Sequence, residues 1–488
     1  MKFKLLQIFF ISGLNSLVAQ QFSPDIIVDS TSTNIDSRGG VINIDNENKL
    51  GVAWTNYLSD GNDIIYFTRS SDGGNSFSEK VIIEGDSIDP IEEVRGVSTV
   101  LYDSQNNPMV FYIHGYFPYY FYHRIKKSFD QGITFQNNYS ENILSDNPAL
   151  GVLWSIDTTD YICISDFSSI NLILLKTYNE GITFTDSVII NTGENLINGI
   201  SLINLTNGDL LCFWNGQDRN THRNSIYFNR STDGGNSFGN FIEIDTISFS
   251  PFRVQAISVD NKIFLVYQRK MNNNYQLLLK KSTNAGYSFS DPETIVEWPV
   301  PSVVSGSGHI LYYKSNFGLC LLWNNLDYSN PVTYFIRSIN EGFTFDSTIV
   351  VNYNRLGSNS MVISDSGEVY VVSTNANTNH LVLNKANLDP ITSVEEDYSI
   401  INFYELYQNY PNPFNPVTTI KYQIPKSGIV SLKVYNILGK EIKTLVNDEK
   451  TKGRYEIRFD ASNLASGVYI YRIQVNDYVS VKKMILVK

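Results

Sequence analysis

The chain has 488 residues, which is enough for two or three domains. Its formal net charge of −12 argues against a nucleic-acid binder, because phosphate contacts need clustered basic residues. Aromatic residues make up 13% of the sequence, and 31 Tyr, 28 Phe and 31 Gly favour an all-β protein with many turns.

Residues 1–20 have the pattern of a secretory signal peptide. Lys2 and Lys4 precede a short apolar run, and the small residue Ala19 closes it, so cleavage is expected near Ala19 or Gln20. The run is short for a membrane anchor, and no later segment is long and apolar enough to span a bilayer. We therefore expect a secreted mature protein without a transmembrane span.

An octapeptide occurs six times, at intervals of roughly 50 residues, and each copy follows Lys or Arg. Two copies, "SSDGGNSF" (70–77) and "STDGGNSF" (231–238), are nearly identical. The third residue of each copy is an acid or an amide: Asp72, Asp130, Asn179, Asp233, Asn284 and Asn340. Such side chains satisfy backbone groups in tight turns, the glycine permits a positive φ, and the final Phe can be buried. A metal loop is the alternative, but an amide is a weaker ligand for a hard cation than a carboxylate. The octapeptides are therefore predicted to be structural, with no metal site and no cofactor.

Each repeat reads as four short strands, A to D, with the octapeptide as the C–D turn. In the first repeat these are "GVINID", "GVAWTN", "IIYFTRS" and "KVIIEG". A seventh repeat, 361–389, lacks the octapeptide and strand D. The missing strand matches the start of the mature chain, because "FSPDIIVDS" (22–30) resembles "FSEKVIIEG" (77–85). Residues 21–389 are thus predicted to form a seven-bladed β-propeller, with six blades as the alternative.

The octapeptides resemble the Asp-box (BNR) repeats of the sialidase-like propeller superfamily. That resemblance implies a propeller whose boxes lie on the face away from the active site. It therefore implies a scaffold role for the boxes and does not by itself assign an activity.

The C-terminal part has a different pattern. An acidic linker, 390–402, precedes short alternating strands over 403–488, which fit a small β-sandwich. The stretches "YPNPFNP", "VYNILGKEI", "LASGVYIYRI" and "KKMILVK" resemble the type A C-terminal sorting domain of the type IX (Por) secretion system. The resemblance implies the secretion machinery as a partner, export across the outer membrane, and then surface attachment or release. An ordinary interaction module is the alternative.

The three cysteines lie in apolar strand-like runs of three different repeats: Cys163, Cys212 and Cys320. Their odd number and the lack of local pairing favour buried free thiols. No Cys/His cluster has the spacing of a zinc site.

The D–A and B–C connections share the face opposite the boxes, and loops there are the candidate binding elements. Four D–A connections carry an arginine suited to binding a carboxylate or phosphate: Arg38, Arg95, Arg253 and Arg355. The family resemblance implies three arginines that hold a substrate carboxylate. However, the expected Phe/Tyr-Arg-Ile-Pro motif is absent, and no Tyr/Glu pair can be assigned as nucleophile and base. Pairing with local acids such as Asp36, Glu92 and Glu93 is the alternative.

The B–C loops are rich in aromatic and amide residues, which suit a carbohydrate or peptide ligand, with loop packing as the alternative. The candidate aromatic contacts are Tyr116, Tyr119, Tyr120, Tyr275 and Tyr328. The sequence therefore predicts an exported module that binds an extracellular glycan or protein. A glycoside hydrolase of sialidase-like type and a purely structural surface protein are the alternatives, and the catalytic residues stay unassigned.

Overall fold

The computed structural model describes residues 21–30, 40–56, 63–85, 92–116, 120–136, 143–144, 150–153, 160–166, 171–184, 187–191, 195–218, 221–247, 254–301, 309–325, 327, 329–391, 404–409, 411–476 and 478–487. These residues form strands and turns, and no helix among them is long and apolar enough to cross a membrane. The predicted signal peptide lies outside the described residues. The chain divides into two compact units, one ending at Ile391 and one beginning at Thr392.

The described part of the first unit contains seven four-stranded antiparallel sheets, here numbered I to VII. The first strand, β1 (Ile26–Asp29), belongs to sheet VII. Sheets I to III are β2 (Val41–Ile44), β3 (Leu50–Asn56), β4 (Ile64–Ser70) and β5 (Val81–Glu84); β6 (Glu92–Tyr102), β7 (Pro108–Tyr116), β8 (Tyr120–Lys127) and β9 (Ile143–Leu144); and β10 (Leu150–Leu153), β11 (Asp160–Asp166), β12 (Asn171–Thr177) and β13 (Val188–Ile189).

Sheets IV to VI are β14 (Asn195–Asn204), β15 (Leu210–Asp218), β16 (Asn224–Ser231) and β17 (Ile242–Ile247); β18 (Val254–Val259), β19 (Lys262–Met271), β20 (Asn274–Ser282) and β21 (Glu293–Pro299); and β22 (His309–Lys314), β23 (Gly318–Asn324), β24 (Val332–Ser338) and β25 (Ile349–Tyr353). Sheet VII has the order β26 (Arg355–Ile363), β27 (Glu368–Asn375), β28 (Leu381–Asn387) and β1.

Strand B of each repeat is covered on both faces, which explains its continuous apolar sequence. Every residue of β3 and of β23 is buried, whereas the D strands β5 and β17 are half-exposed.

Buried apolar clusters join each sheet to the next in chain order. Representative pairs, from sheets I/II to VI/VII, are Phe67 with Tyr112, Phe111 with Ile162, Leu174 with Trp214, Phe213 with Leu265, Val266 with Leu321, and Leu322 with Val371. The last cluster brings together Val372 of sheet VII and Val52 of sheet I. Sheet VII therefore packs against sheet I, so that the contacts between successive sheets form a cycle.

Strand β1 completes sheet VII, as the sequence predicts. Ile26 lies opposite Leu383 and Ile27 opposite Val382. Before the strand, the Ser23 amide donates to the Lys385 carbonyl over 2.8 Å. The Phe22 ring is buried and meets Phe335 edge-on at 5.7 Å. The predicted pairing of 22–30 with the last C strand is confirmed.

The second unit has two sheets that share one apolar cluster. The first contains β29 (Glu405–Leu406), β30 (Val417–Ile424) and β33 (Gly453–Asp460); the other contains β31 (Gly428–Asn436), β32 (Glu441–Lys450), β34 (Gly467–Val475) and β35 (Tyr478–Leu486). The proline-rich entry loop joins the C-terminal strand, because the Phe414 amide donates to the Ile485 carbonyl over 2.9 Å.

Candidate functional site

The octapeptide loops, called boxes below, use their polar groups internally. Asp72 Oδ1 accepts hydrogen bonds from the Ser70 hydroxyl (2.8 Å) and from the amides of Asn75 (3.0 Å) and Ser76 (2.9 Å), and Oδ2 accepts one from the Ser76 hydroxyl (2.6 Å). Asp233 repeats the pattern within its own octapeptide. Hydrogen bonds from Ser76 are the main cause that lowers the pKa of Asp72.

Asn-containing boxes keep the same turn with one change of donor. In Asn179 the amide Nδ2 donates to the Thr183 hydroxyl over 2.9 Å, whereas the hydroxyl of Thr134 donates to Asp130 Oδ2 over 2.6 Å. Asn179 Oδ1 still accepts from the Thr183 amide at 3.0 Å. The turn therefore closes with a neutral side chain, and the hydrogen bonds within the octapeptide hold it without a bound cation. No group of three or more possible metal-ligating side chains occurs within the described ranges.

The box glycine marks a close approach between sheets. Gly74 has φ +76°, and a Cβ there would lie 2.4 Å from a methyl carbon of Leu383 in sheet VII. A side chain at this position would therefore both strain the turn and push the two sheets apart.

In sheets I to V the basic residue before the box reaches the box loop of the following sheet. Arg69 Nη1 donates to the Gln131 carbonyl over 2.6 Å, and the Arg230 guanidinium lies 4.3 Å from the centre of the Tyr287 ring. Lys281 Nζ lies 4.3 Å from the centre of the Phe343 ring. The Asp-boxes and their preceding bases thus act as joints between sheets.

The structure describes only some of the candidate arginines and aromatic residues. Arg355 at the start of β26 and Tyr275 near the start of β20 lie at strand ends away from the boxes. Arg38, Arg253, Tyr119 and Tyr328 lie outside the described residues. Only the backbone is described for Arg95 in β6 and for Tyr116 and Tyr120, which face each other across the β7–β8 hairpin.

Arg355 is buried, with 4% of its surface exposed, and forms an ion pair with Asp25. Burial raises the pKa of Asp25, but hydrogen bonds from Asn384 and Asn375 and the charge of Arg355 outweigh it, so that the pKa is lowered. Among the described residues, Arg355 Nε and Nη1 have no hydrogen-bond partner. An anionic ligand at this arginine would therefore compete with an acid that holds the N-terminal strand.

Tyr275 is 2% exposed, and the centre of its ring lies 6.1 Å from that of Trp298. Its ring therefore packs inside the protein and is not presented to a ligand. An exposed aromatic residue that does not stand out in the sequence is Tyr353, which is 61% exposed at the end of β25. Its position one residue before Asn354 and two before Arg355, in a D–A connection, is the signal that could have identified it.

Two tyrosine–carboxylate pairs lie at sheet junctions. The Tyr112 hydroxyl donates to Glu84 Oε2 over 2.5 Å, and the Tyr267 hydroxyl donates to Asp245. Both tyrosine side chains are fully buried, and burial raises the pKa of each. The arrangement recurs at the I/II and IV/V junctions, where it connects neighbouring sheets.

The B–C hairpin of sheet V presents hydrogen-bonding groups to solvent. Gln276 Nε2 donates to Glu297 Oε2 over 2.6 Å, and Arg269 Nη2 donates to Gln276 Oε1 over 2.9 Å. In sheet IV, Arg223 Nη2 donates to Glu243 over 2.7 Å beside the hydroxyl of Thr246. These planar amide, carboxylate and guanidinium groups can bind hydroxyl-rich ligands.

Residues 408–488 match the family described as the secretion system C-terminal sorting domain. This chain is exported. The sorting domain directs it through type IX secretion to the cell surface or the extracellular space. No curated protein matches this chain at a significant level.

Several solved structures resemble most of this chain. An ulvan lyase bound to -[GlcA(1-4)Rha3S]- aligns with a TM-score of 0.53 at 10% identity, over 77% of this chain and 98% of that one. An alpha-L-arabinofuranosidase from Fusarium graminearum aligns with a TM-score of 0.45 at 10% identity, over 75% and 98% of the two chains. The Hadza microbial sialidase has a TM-score of 0.41 at 14% identity, over 72% and 66%. At these identities the likeness to the ulvan lyase concerns the fold alone.

Proposed function

We propose that this chain is an exported seven-bladed β-propeller that binds a glycan at the end opposite its Asp-boxes. The domain limits follow the sequence prediction: a signal peptide in 1–20, the propeller in 21–389, a linker in 390–402 and a β-sandwich sorting domain in 403–488. The cyclic order of sheet packing and the β1–β28 pairing support seven blades with an N-terminal closing strand.

The choice of binding end rests on one observation: the polar groups of the boxes are already used in hydrogen bonds within the boxes. The Asp72 carboxylate accepts four hydrogen bonds from its own octapeptide, and the preceding bases are engaged with the next box loop. Ligand binding there would have to break these joints. The opposite end instead carries the Gln276–Glu297 group and the exposed Tyr353 ring.

A glycan suits this chemistry better than a nucleic acid or a metal. Amides and carboxylates bind sugar hydroxyls, and an exposed aromatic ring offers a flat apolar surface to a sugar face. The ulvan lyase of similar fold is bound to a saccharide, the same ligand class as that proposed here. Sialidase-like hydrolysis would require, in addition, an accessible Tyr/Glu or carboxylate pair beside the D–A arginines.

A glycan array followed by calorimetry on the exported protein tests this proposal. Tyr353→Ala should weaken binding of the best array ligand by about tenfold, on the scale of an aromatic contact. Tyr287→Ala is the matched control, because Tyr287 is 74% exposed on the box side. Loss of binding in Tyr287→Ala with full binding in Tyr353→Ala would place the ligand at the box end. If no glycan on the array binds, the proposal of a glycan ligand is wrong.

A further inference from the structure

Two of the three buried thiols lie against each other. Cys163 Sγ is 3.6 Å from Cys212 Sγ, and both residues are completely buried. Cys163 belongs to β11 of sheet III and Cys212 to β15 of sheet IV. Each cysteine lies in a different repeat, so the sequence alone does not indicate that two of them meet.

The contact follows from the strand register. Asp160 pairs with Thr177, the first residue of its box, and Leu210 pairs with Ser231 at the same place in the next sheet. Counted from these positions, Cys163 is three residues along its strand and Cys212 is two. Because successive side chains alternate between faces, the two cysteines point to opposite sides of their own sheets. Since the sheets stack in order, opposite sides of neighbouring sheets are the sides that face each other.

We propose that Cys163 and Cys212 form a disulfide bond that links sheets III and IV when the chain is exported. A sulfur–sulfur bond is about 2 Å long, so the two atoms need to approach by about 1.5 Å, within reach of a side-chain rotation. The two thiols lose two protons and two electrons. The electrons pass to the disulfide of a periplasmic thiol oxidase, which is reduced to a dithiol.

The compartment supplies the conditions for this reaction. An exported chain passes through an oxidising periplasm, where disulfides form and persist. Both sulfurs are inaccessible in the packed structure, and burial raises the pKa of the Cys163 thiol. Exchange requires a thiolate with access to the oxidant, so the bond forms before sheets III and IV finish packing. Once formed, it is shielded from reductants in the native state.

Thiol counting on the exported protein recovered from the medium or surface of its host tests the proposal. The protein is unfolded in excess iodoacetamide, with or without prior reduction, and its mass is measured. We expect one alkylated cysteine, Cys320, without reduction and three after reduction. Three alkylated cysteines without reduction would overturn the proposal. A mixed disulfide with a small thiol would also contradict it, and would be recognised by its added mass.

Variants provide a second measurement that does not depend on alkylation. Reductant present during unfolding should lower the midpoint temperature of the wild type by about 3–5 °C, since the bond closes a loop of 49 residues. Cys163→Ala and Cys212→Ala should be insensitive to reductant, while Cys320→Ala should respond like the wild type. Equal insensitivity of the wild type and Cys163→Ala would contradict the bond.

Discussion

Lys385 Nζ lies 2.7 Å from Asn75 Oδ1 and 2.7 Å from the Gly73 carbonyl oxygen. The lysine is in β28 of sheet VII, and both acceptors belong to the first Asp-box. It makes the contact that Arg69, Arg230 and Lys281 make with the box loop of the following sheet. The last sheet has no box of its own, yet it keeps the base that joins it to the first.

Lys385→Met should lower the free energy of unfolding by about 1–2 kcal/mol, because two hydrogen bonds from a charged group are lost while the stem still packs. Urea denaturation measures the change. Lys262→Met is the control. Lys262 forms an ion pair with Glu341, and each of the two side chains is about two-fifths exposed. An exposed ion pair of this kind should contribute less than about 1 kcal/mol to the free energy of unfolding. Equal stability of Lys385→Met and the wild type would show that the joint is dispensable.

Deletion of residues 21–30 should destabilise the whole first unit and not only one sheet. The segment supplies β1, the buried Phe22 and the Asp25 carboxylate that pairs with Arg355. Without it β28 has an open edge, and Arg355 is buried without its counter-ion. Thermal unfolding followed by circular dichroism measures the effect. A cooperative transition at the wild-type temperature would show that the strand does not close the structure.

Because the box aspartates have lowered pKa values, we expect the free energy of unfolding to decrease in acid. Burial raises the pKa of Asp130, but hydrogen bonds from Thr134 and its neighbours lower it to about 2. Hydrogen bonds from the serine of each box likewise lower the pKa of Asp72 and of Asp233. An acid with a lowered folded pKa stabilises the fold above its unfolded pKa, and this contribution disappears as pH falls through the folded pKa. Stability should therefore fall between about pH 4 and pH 2.

The triple variant Asp72→Asn, Asp130→Asn and Asp233→Asn should flatten that pH profile. Natural boxes with Asn179, Asn284 or Asn340 close the same turn, so the variant should remain folded at pH 7. Urea midpoints at pH 5, 4 and 3 are the measurement. Asp291→Asn, an exposed aspartate outside the boxes, should keep the wild-type profile. An unchanged slope in the triple variant would exclude the boxes as the cause.

The sequence predicted the sheets well because each repeat carries its own turn signal. The octapeptide fixes the C–D turn through local hydrogen bonds, so its chemistry can be read without knowing the fold. The pairing of 22–30 with β28 was also predictable. The seventh repeat lacks a D strand, and residues 22–30 resemble the D-strand segment 77–85 of the first repeat.

Contacts between distant residues could not be predicted in the same way. Arg355 and Asp25 are 330 positions apart, and no spacing rule connects them. Cys163 and Cys212 meet because of strand parity and sheet order, which become available only once the register is known. The buried Tyr112–Glu84 pair depends likewise on two neighbouring sheets. A site built from several repeats is thus less visible in the sequence than the repeat itself.

Removal of residues 403–488 should leave the first unit folded but retained in the periplasm. The sorting-domain family covers 408–488, and the chain divides into two compact units near Ile391, so the truncation spares the first core. Cell fractionation and protease accessibility in the native host measure the location. A chain with only the β29 residues Glu405–Leu406 replaced by Ala-Ala, which keeps the tail length, is the control for expression. Surface display of the truncated chain would show that export does not depend on the tail.

Arg253 should matter for binding, and Asp233 for folding alone. In the sequence Arg253 directly precedes β18, in the D–A connection assigned to the proposed ligand end. Among the described residues, the Asp233 carboxylate accepts its hydrogen bonds from its own box. If the bound glycan is anionic, Arg253→Ala should weaken it by about 1.5–3 kcal/mol, the scale of a hydrogen bond to a charged group. Arg253→Lys should also weaken it, because the planar fork that grips two carboxylate oxygens is lost. Asp233→Ala should lower the unfolding temperature and leave the affinity of the folded fraction unchanged. Calorimetry on the three variants decides between the two ends: binding lost in Asp233→Ala but retained in Arg253→Ala would move the site to the box side of the sheets.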